Sequence, residues 1–202
     1  MNLLHVDSSI LGDNSVTRII SAAVVSRLRA VHAGLDVTTR DLVATPVPHL
    51  SGSYLAGQSA DVQHDQALQE DLALGGAVLA EFLAADIIVI GAPLYNFTIP
   101  SQLKSWLDRV LVAGQTFHYT ANGPEGLAGG KRVILTLSRG GFYGPGSPYA
   151  ASEHAESYLR AVFAFIGLPD IEIILAEGVA VNAEQRQKEL ENALAAAAAL
   201  EA

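Results

Sequence analysis

Three short segments of the chain carry the side chains best suited to chemistry. They read Ser8-Ser9-Ile10-Leu11-Gly12-Asp13-Asn14-Ser15-Val16-Thr17, then Ala92-Pro93-Leu94-Tyr95-Asn96-Phe97, then Ser138-Arg139-Gly140-Gly141-Phe142-Tyr143-Gly144. The first is rich in hydroxyls and precedes a helical pattern. A helix start offers unpaired N–H groups and the positive end of a dipole, which suits a phosphate without any lysine. The second sets aromatic rings and an amide directly after an apolar run, where a planar ring could stack while its polar edge finds donors. In the third, Gly140-Gly141 lets a ligand approach the backbone closely. Plainer readings stand beside these. Ser9 and Ser15 are good cap and turn residues, Tyr95 and Phe97 could be core aromatics, and Gly140-Gly141 could be a simple turn.

The first segment lacks both G-x-x-x-x-G-K-[ST] and G-x-G-x-x-G. That counts against a nucleoside triphosphate and against a dinucleotide held by the first loop, and it leaves a phosphomonoester such as flavin mononucleotide (FMN). Other chemistries find little support. The six histidines are dispersed without an H-E-x-x-H pair, and no G-x-S-x-G elbow occurs, so neither a metal hydrolase nor an ordered serine triad is indicated. No metal site is expected. With no cysteine, disulfides, thiolate metal sites and cysteine nucleophiles are excluded, and redox chemistry would need a bound cofactor. Twenty-one acidic against 12 basic residues give a net charge of -9 without a basic run, which argues against nucleic acid as a partner.

The elements that must position these segments follow from apolar periodicity. Apolar runs at 3–6, 37–42, 86–91, 133–138 and 171–175 read as five strands, the third being apolar on both faces as central parallel strands are. Between them Val16, Ile20, Val24 and Leu28 recur at helical spacing, as do Leu68, Leu72, Leu79 and Phe82. Pro100 suits the first turn of a helix carrying Leu103, Trp106, Leu107 and Val110. Tyr158, Leu159, Val162 and Phe163 mark another helix, and Asn182 with Gln185 resembles a capping box for the last. Strict strand–helix alternation predicts an α/β fold: a three-layer sandwich with a five-stranded parallel sheet of order 2-1-3-4-5 and helices on both faces. Two hundred and two residues fit one domain, 1–202. The stretch 43–64 is long for a connection and invites a functional or interfacial role, and 114–130 reads as a loop. No run is long enough to span a membrane, and the amino terminus reads as a buried strand rather than an export signal, so a cytoplasmic location is expected.

The same residues resemble a known family, the FMN-dependent NADH-azoreductases, historically also labelled acyl carrier protein phosphodiesterase. The likeness spans nearly the whole chain. It is strongest at Ala92 to Phe97 with Ile99 and Gln102-Leu103-Lys104, at Thr116-Phe117-His118-Tyr119-Thr120 with Asn122-Gly123-Pro124-Glu125-Gly126, and at Ser138-Arg139-Gly140-Gly141. The resemblance implies a homodimeric flavodoxin-like enzyme with FMN near the dimer interface. It assigns Ser9, Ser15, Val16 and Thr17 to the phosphate end, and Pro93, Leu94, Tyr95, Asn96 and Phe97 to one side of the flavin ring. Ser138, Arg139, Gly140 and Gly141 fall on the other side, with His118 and Tyr119 as acceptor-slot candidates.

Relatives often carry Met at Leu94, Gln at Val16, Ser at Thr17 and His at Tyr143. A backbone N–H survives the changes at 16 and 17, and acceptor preference is what Tyr143 puts in question. The expected activity is ping-pong reduction of azo compounds and quinones by NADH or NADPH, with the flavin carrying the chemistry. A flavodoxin-type electron carrier is the alternative, and phosphodiester hydrolysis lacks a metal constellation and a base.

Overall fold

The protein is described by a computed structural model covering residues 1–59 and 62–201. Its central sheet is built from β1 (Asn2–Asp7), β2 (Asp36–Asp41), β3 (Ile87–Pro93), β6 (Arg132–Arg139) and β7 (Ile171–Glu177). All neighbours are parallel in the order β2-β1-β3-β6-β7. With the two hairpin strands set aside, this is the 2-1-3-4-5 order expected from the sequence. β3 is buried along its whole length, as a run apolar at every position requires. Pro93, which cannot donate to a ladder, closes that strand opposite Ser138.

The helices between the strands are α1 (Val16–Val31), α2 (Gly52–Ala56), α3 (Gln66–Ala84), α4 (Ser101–Val110), α5 (Glu156–Phe165) and α6 (Ala183–Ala198). Their starts are chemically marked. The side chains of Ser15, Ser51, Asp65 and Asn182 each accept an N–H from the first turn of α1, α2, α3 and α6. Pro100 precedes α4 as its cap rather than sitting inside its first turn.

The buried apolar residues form two clusters that divide the strands by alternation. Leu4, Val6, Ile88, Ile90, Val133 and Leu135 pack with Phe82 of α3, Trp106 of α4 and Phe163 of α5. Leu3, Ile87, Val89, Ile134 and Ile174 pack with Ile20 and Val24 of α1 and Ala193 and Ala197 of α6. Each such aliphatic side chain removed from water contributes about 1.5–3 kcal/mol before chain entropy is set against it.

Two segments expected to be irregular hold structure. Residues 114–130 contain an antiparallel hairpin, β4 (Phe117–Thr120) with β5 (Gly123–Gly126). The stretch 43–59 contains α2 and is bolted to α4: Arg109 Nη2 donates to the Pro48 carbonyl at 3.0 Å, and Ser105 Oγ lies 3.0 Å from His49 Nδ1. The fully buried Arg109 guanidinium also sits 3.5 Å over the Tyr54 ring, with Asp71 as its ionic partner. Residues 60 and 61 of that expected excursion lie outside the described residues.

Candidate functional site

The carboxyl ends of β1, β3 and β6 are neighbours in the sheet, so their connections meet at one edge. After β1 the chain runs through buried Ser8 and Ser9 and a 3-10 turn, Gly12–Asn14, before α1 begins at Val16. Ser15 Oγ accepts from the Arg18 amide at 3.3 Å and lies 3.1 Å from Thr17 Oγ1. Val16 and Thr17 are buried, and among the described residues no acceptor meets either backbone N–H. Buried amides ordinarily find partners. Two left over at a helix start, beside two hydroxyls, form a ready anion site.

Arg18 fixes this loop, a role the sequence did not reveal because its partner stands 23 residues away. Its Nε and Nη2 donate to the Ser9 carbonyl at 3.1 and 2.9 Å, while Nη1 and Nη2 form a fork on Asp41 at 2.7 and 2.8 Å. The hydrogen-bonded guanidinium holds the Asp41 carboxyl down at about 2, below its ordinary 3.8. The first loop is thereby tied to the end of β2.

After β3, Leu94 N–H donates to the Ser138 carbonyl at 2.8 Å, joining the second segment to the third. Tyr95 and Thr98 then exchange backbone hydrogen bonds of 2.9 and 3.1 Å around a two-residue turn. Asn96 (φ 47) and Phe97 (φ 73) occupy that turn in left-handed conformations, with no glycine to ease it. A residue so placed costs on the order of 1–3 kcal/mol, and asparagine tolerates it better than phenylalanine. The strain is held by neighbours: His154 N–H donates to the Phe97 carbonyl at 2.9 Å. The Phe97 ring stays 51% exposed, which argues against a simple core role. Tyr95 Oη lies 3.0 Å from Ser9 Oγ, so the first and second segments touch.

At the end of β6, Ser138 and Arg139 are buried, and Gly140-Gly141 just beyond are half-buried. The carbonyls of Arg139, Gly140 and Gly141 accept from Val179, Ala180 and Gly178, while no acceptor meets the Gly140 or Gly141 amide among the described residues. Arg139 is only 4% exposed, and its guanidinium is held by Glu177 at 2.9 Å and Glu156 at 2.7 Å. Its guanidinium is therefore already engaged and not free to meet a ligand. Glu177 also accepts from the Tyr143 amide at 2.8 Å, so the arginine fixes the loop beyond the glycines.

Ser9, Ser15, Leu94, Tyr95, Asn96, Phe97, Gly140 and Gly141 thus lie on the three connections at the carboxyl ends of β1, β3 and β6, with Pro93, Ser138 and Arg139 closing the strands and Val16 and Thr17 opening α1 beside them. His118 and Tyr119 do not. They belong to the β4–β5 hairpin, which links the end of α4 to the start of β6, at the opposite end of the strands. Its base is pinned there: Ala128 N–H donates to the Ile166 carbonyl, Phe117 packs on Phe165 at 4.7 Å, and Gly126 lies too close to Gly167 to admit a Cβ. Tyr119 is 75% exposed, and His118 pairs with Glu125 at 3.0 Å. A cavity of about 850 Å³ near Met1, Arg132 and Leu200 also lies away from the three connections. Among the described residues no three potential metal ligands converge, and no helix is long and apolar enough to cross a membrane.

Comparison with known proteins agrees with this geometry. The model of a family described as having the flavodoxin-like fold matches residues 1–200. An FMN-dependent NADH:quinone oxidoreductase of Methylorubrum extorquens is 63% identical over 202 residues, covering 100% of both chains. An FMN-dependent NADH:quinone oxidoreductase 2 of Bradyrhizobium diazoefficiens is 59% identical over 203 residues, again covering 100% of both. Among solved structures, the azoreductase AzrA superposes with a TM-score of 0.88 at 28% identity, covering 98% of this chain and 97% of its own. An FMN-dependent NADH-azoreductase from Bacillus anthracis, solved in complex with FMN, gives 0.86 at 26% identity, covering 98% of each chain.

Proposed function

The chain belongs to the flavodoxin-like family of the FMN-dependent NADH:quinone oxidoreductases, and from that premise we propose that it is itself an FMN-dependent enzyme reducing quinones and azo compounds with NADH. The observation that carries the reading is the pair of buried, acceptor-free amides of Val16 and Thr17 beside the Ser15 and Thr17 hydroxyls. A phosphomonoester answers that donor set, because charged oxygens satisfy amides that water cannot easily reach. These residues with Ser9 would hold the FMN phosphate. Pro93, Leu94, Tyr95, Asn96 and Phe97 would flank the ring on one side, and Ser138, the Arg139 backbone, Gly140 and Gly141 on the other.

FMN bound there supplies the hydride chemistry, so no side-chain nucleophile is required. The protein's part is to hold, orient and screen. Strain at Asn96 and Phe97 keeps an aromatic ring and an amide at fixed positions beside the crevice, and the acceptor-free glycine amides offer donors to carbonyl oxygens. We read the order of binding as ping-pong, with NADH and acceptor using the same open ground beside the turn in succession.

We further read the two core clusters as the two sides of a three-layer sandwich, residues 1–202 as one domain, and the protein as a cytoplasmic homodimer. A second copy is the arrangement that would bring the hairpin carrying His118 and Tyr119 toward a crevice its own chain does not let it reach.

The test is direct. Purified protein should be yellow, bleach on anaerobic addition of NADH, regain colour with a quinone, and turn over many times with both. Initial rates at varied NADH and quinone should give parallel double-reciprocal lines. Colourless protein that takes up no FMN at saturation would end the proposal, and intersecting lines would end its ping-pong part.

A further inference from the structure

Helices α1 and α6 each follow a strand of the parallel sheet, so both begin at its carboxyl edge. One side chain crosses between them. Arg186, at the end of the first turn of α6, donates from Nη2 to the Asn14 carbonyl at 2.8 Å, one residue before the Ser15 cap. It is half-buried, and this is the one hydrogen bond its guanidinium makes among the described residues. No carboxylate pairs with it among those residues. Its acidic neighbours on α6 are turned to other partners: Glu189 accepts from Gln185 and Glu191 from Gln187. A helix start carries partial positive charge and disfavours a cation, and here two starts bear on one guanidinium. Neither helix gains from an arginine at that place. An anion held beside it would.

The cradle has need of such a charge. Arg18, the other arginine bonded to this loop, is spent: its Nε, Nη1 and Nη2 all donate to the Ser9 carbonyl or to Asp41, and Asp7 stands 3.8 Å from it. Asp13 lies in the 3-10 turn itself. Asp7, Asp13 and Asp41 thus oppose the single charge of Arg18 before any phosphate adds up to about two more negative charges. We propose that Arg186 is a cofactor-binding residue, supplied by the last helix, whose guanidinium provides the counter-charge that lets the cradle hold a phosphomonoester and prefer FMN to riboflavin. This rests on the flavin reading given above. The amides of Val16 and Thr17 set direction, while Arg186 brings full charge and a planar fork of donors suited to phosphate oxygens.

The experiment titrates flavin-free wild type, Arg186→Gln and Arg186→Lys with FMN and with riboflavin, which lacks the phosphate, at low and at high KCl. Quenching of flavin fluorescence reports binding. In Arg186→Gln the FMN affinity at low salt should fall about five- to twentyfold, while riboflavin stays within about twofold. Arg186→Lys keeps the charge and should lose no more than about threefold. KCl should weaken FMN binding more steeply in the wild type than in Arg186→Gln, because a charge pair is screened and its absence is not. Unchanged FMN affinity in Arg186→Gln would overturn the proposal, as would equal losses for both flavins. Salt curves that run parallel would overturn it too, since Arg186 would then merely tie the loop through Asn14. Wild-type protein that takes up no FMN would instead end the functional reading, and inorganic phosphate would then decide Arg186 by itself. Phosphate should raise the melting temperature of the wild type more than that of Arg186→Gln, and equal rises would refute the counter-charge.

Discussion

The connection after β1 and the turn after β3 touch through one hydrogen bond, Ser9 Oγ to Tyr95 Oη, yet they are made differently. In the first, the left-handed position is taken by Gly12, the hydroxyl residues are buried, and Arg18 ties the Ser9 carbonyl to Asp41. In the second, left-handed positions fall on Asn96 and Phe97, and the aromatic ring is half in solvent. The first is a relaxed donor cradle, the second a strained display of a ring. A phosphate needs many fixed donors and no adaptation, whereas a planar ring needs a surface held open at its edge. The two loops divide anchoring from presentation, and substitutions can separate those roles.

The largest effect is expected at the cradle. Val16→Pro should spare the helix, because proline is favoured at a first helical position and Ser15 already has the extended backbone that proline demands of its predecessor. It removes the amide and nothing else polar. FMN affinity should fall about 10- to 100-fold, the worth of a hydrogen bond to a charged group. Titration of apoprotein with FMN measures this, and the apoprotein melting temperature should move little. Unchanged affinity would mean the phosphate lies elsewhere.

At the turn the expected effect is smaller and falls on stability. Phe97→Gly and Phe97→Ala both remove the ring, but only glycine relaxes a φ of 73. The glycine variant should exceed the alanine variant by about 1 kcal/mol in urea denaturation, the reverse of their order at ordinary positions. Both should weaken acceptor binding. If alanine proves the more stable, the turn is not strained and the contrast between the loops disappears.

How much of this was legible beforehand follows the same division. The five strands and the cap at Asn182 were readable because apolar periodicity and capping are local signals, and the strand order followed from the strict strand–helix alternation of a doubly wound sheet. Ser15 was readable as a cap for the same reason. The hairpin at 117–126 was not: its strands are four residues each, contain two glycines and a proline, and face mostly solvent. The short α2 was hidden among prolines and glycines that normally signal a loop. Phe97 in a left-handed turn has no sequence signature, since phenylalanine disfavours it and only the His154 amide and the surrounding pairing impose it. Arg139 looked like a ligand residue beside two glycines, yet its partners Glu156 and Glu177 come from the next helix and strand. Arg18 likewise finds Asp41 only after the chain has folded. Partners distant in sequence decided the last three of these cases, Phe97, Arg139 and Arg18.

The smallest expected effect sharpens the comparison through pH. Asp41 titrates at about 2 in the folded protein against an ordinary 3.8, chiefly because Arg18 hydrogen-bonds the ionised form. The unfolded chain therefore binds this proton more readily than the folded one. The stability Asp41 contributes is complete above about pH 3.8 and is lost as pH falls toward about 2. Because Arg18 also grips the Ser9 carbonyl, acid should loosen the cradle in that window. The turn at Asn96 and Phe97 contains no carboxylate, so its strain should not respond. Urea midpoints of apoprotein should accordingly fall more steeply from pH 4 to pH 2 in the wild type than in Asp41→Asn, whereas Phe97→Gly should track the wild type in parallel. Wild-type and Asp41→Asn curves that stay parallel throughout would show that the Arg18–Asp41 fork does not hold the first loop.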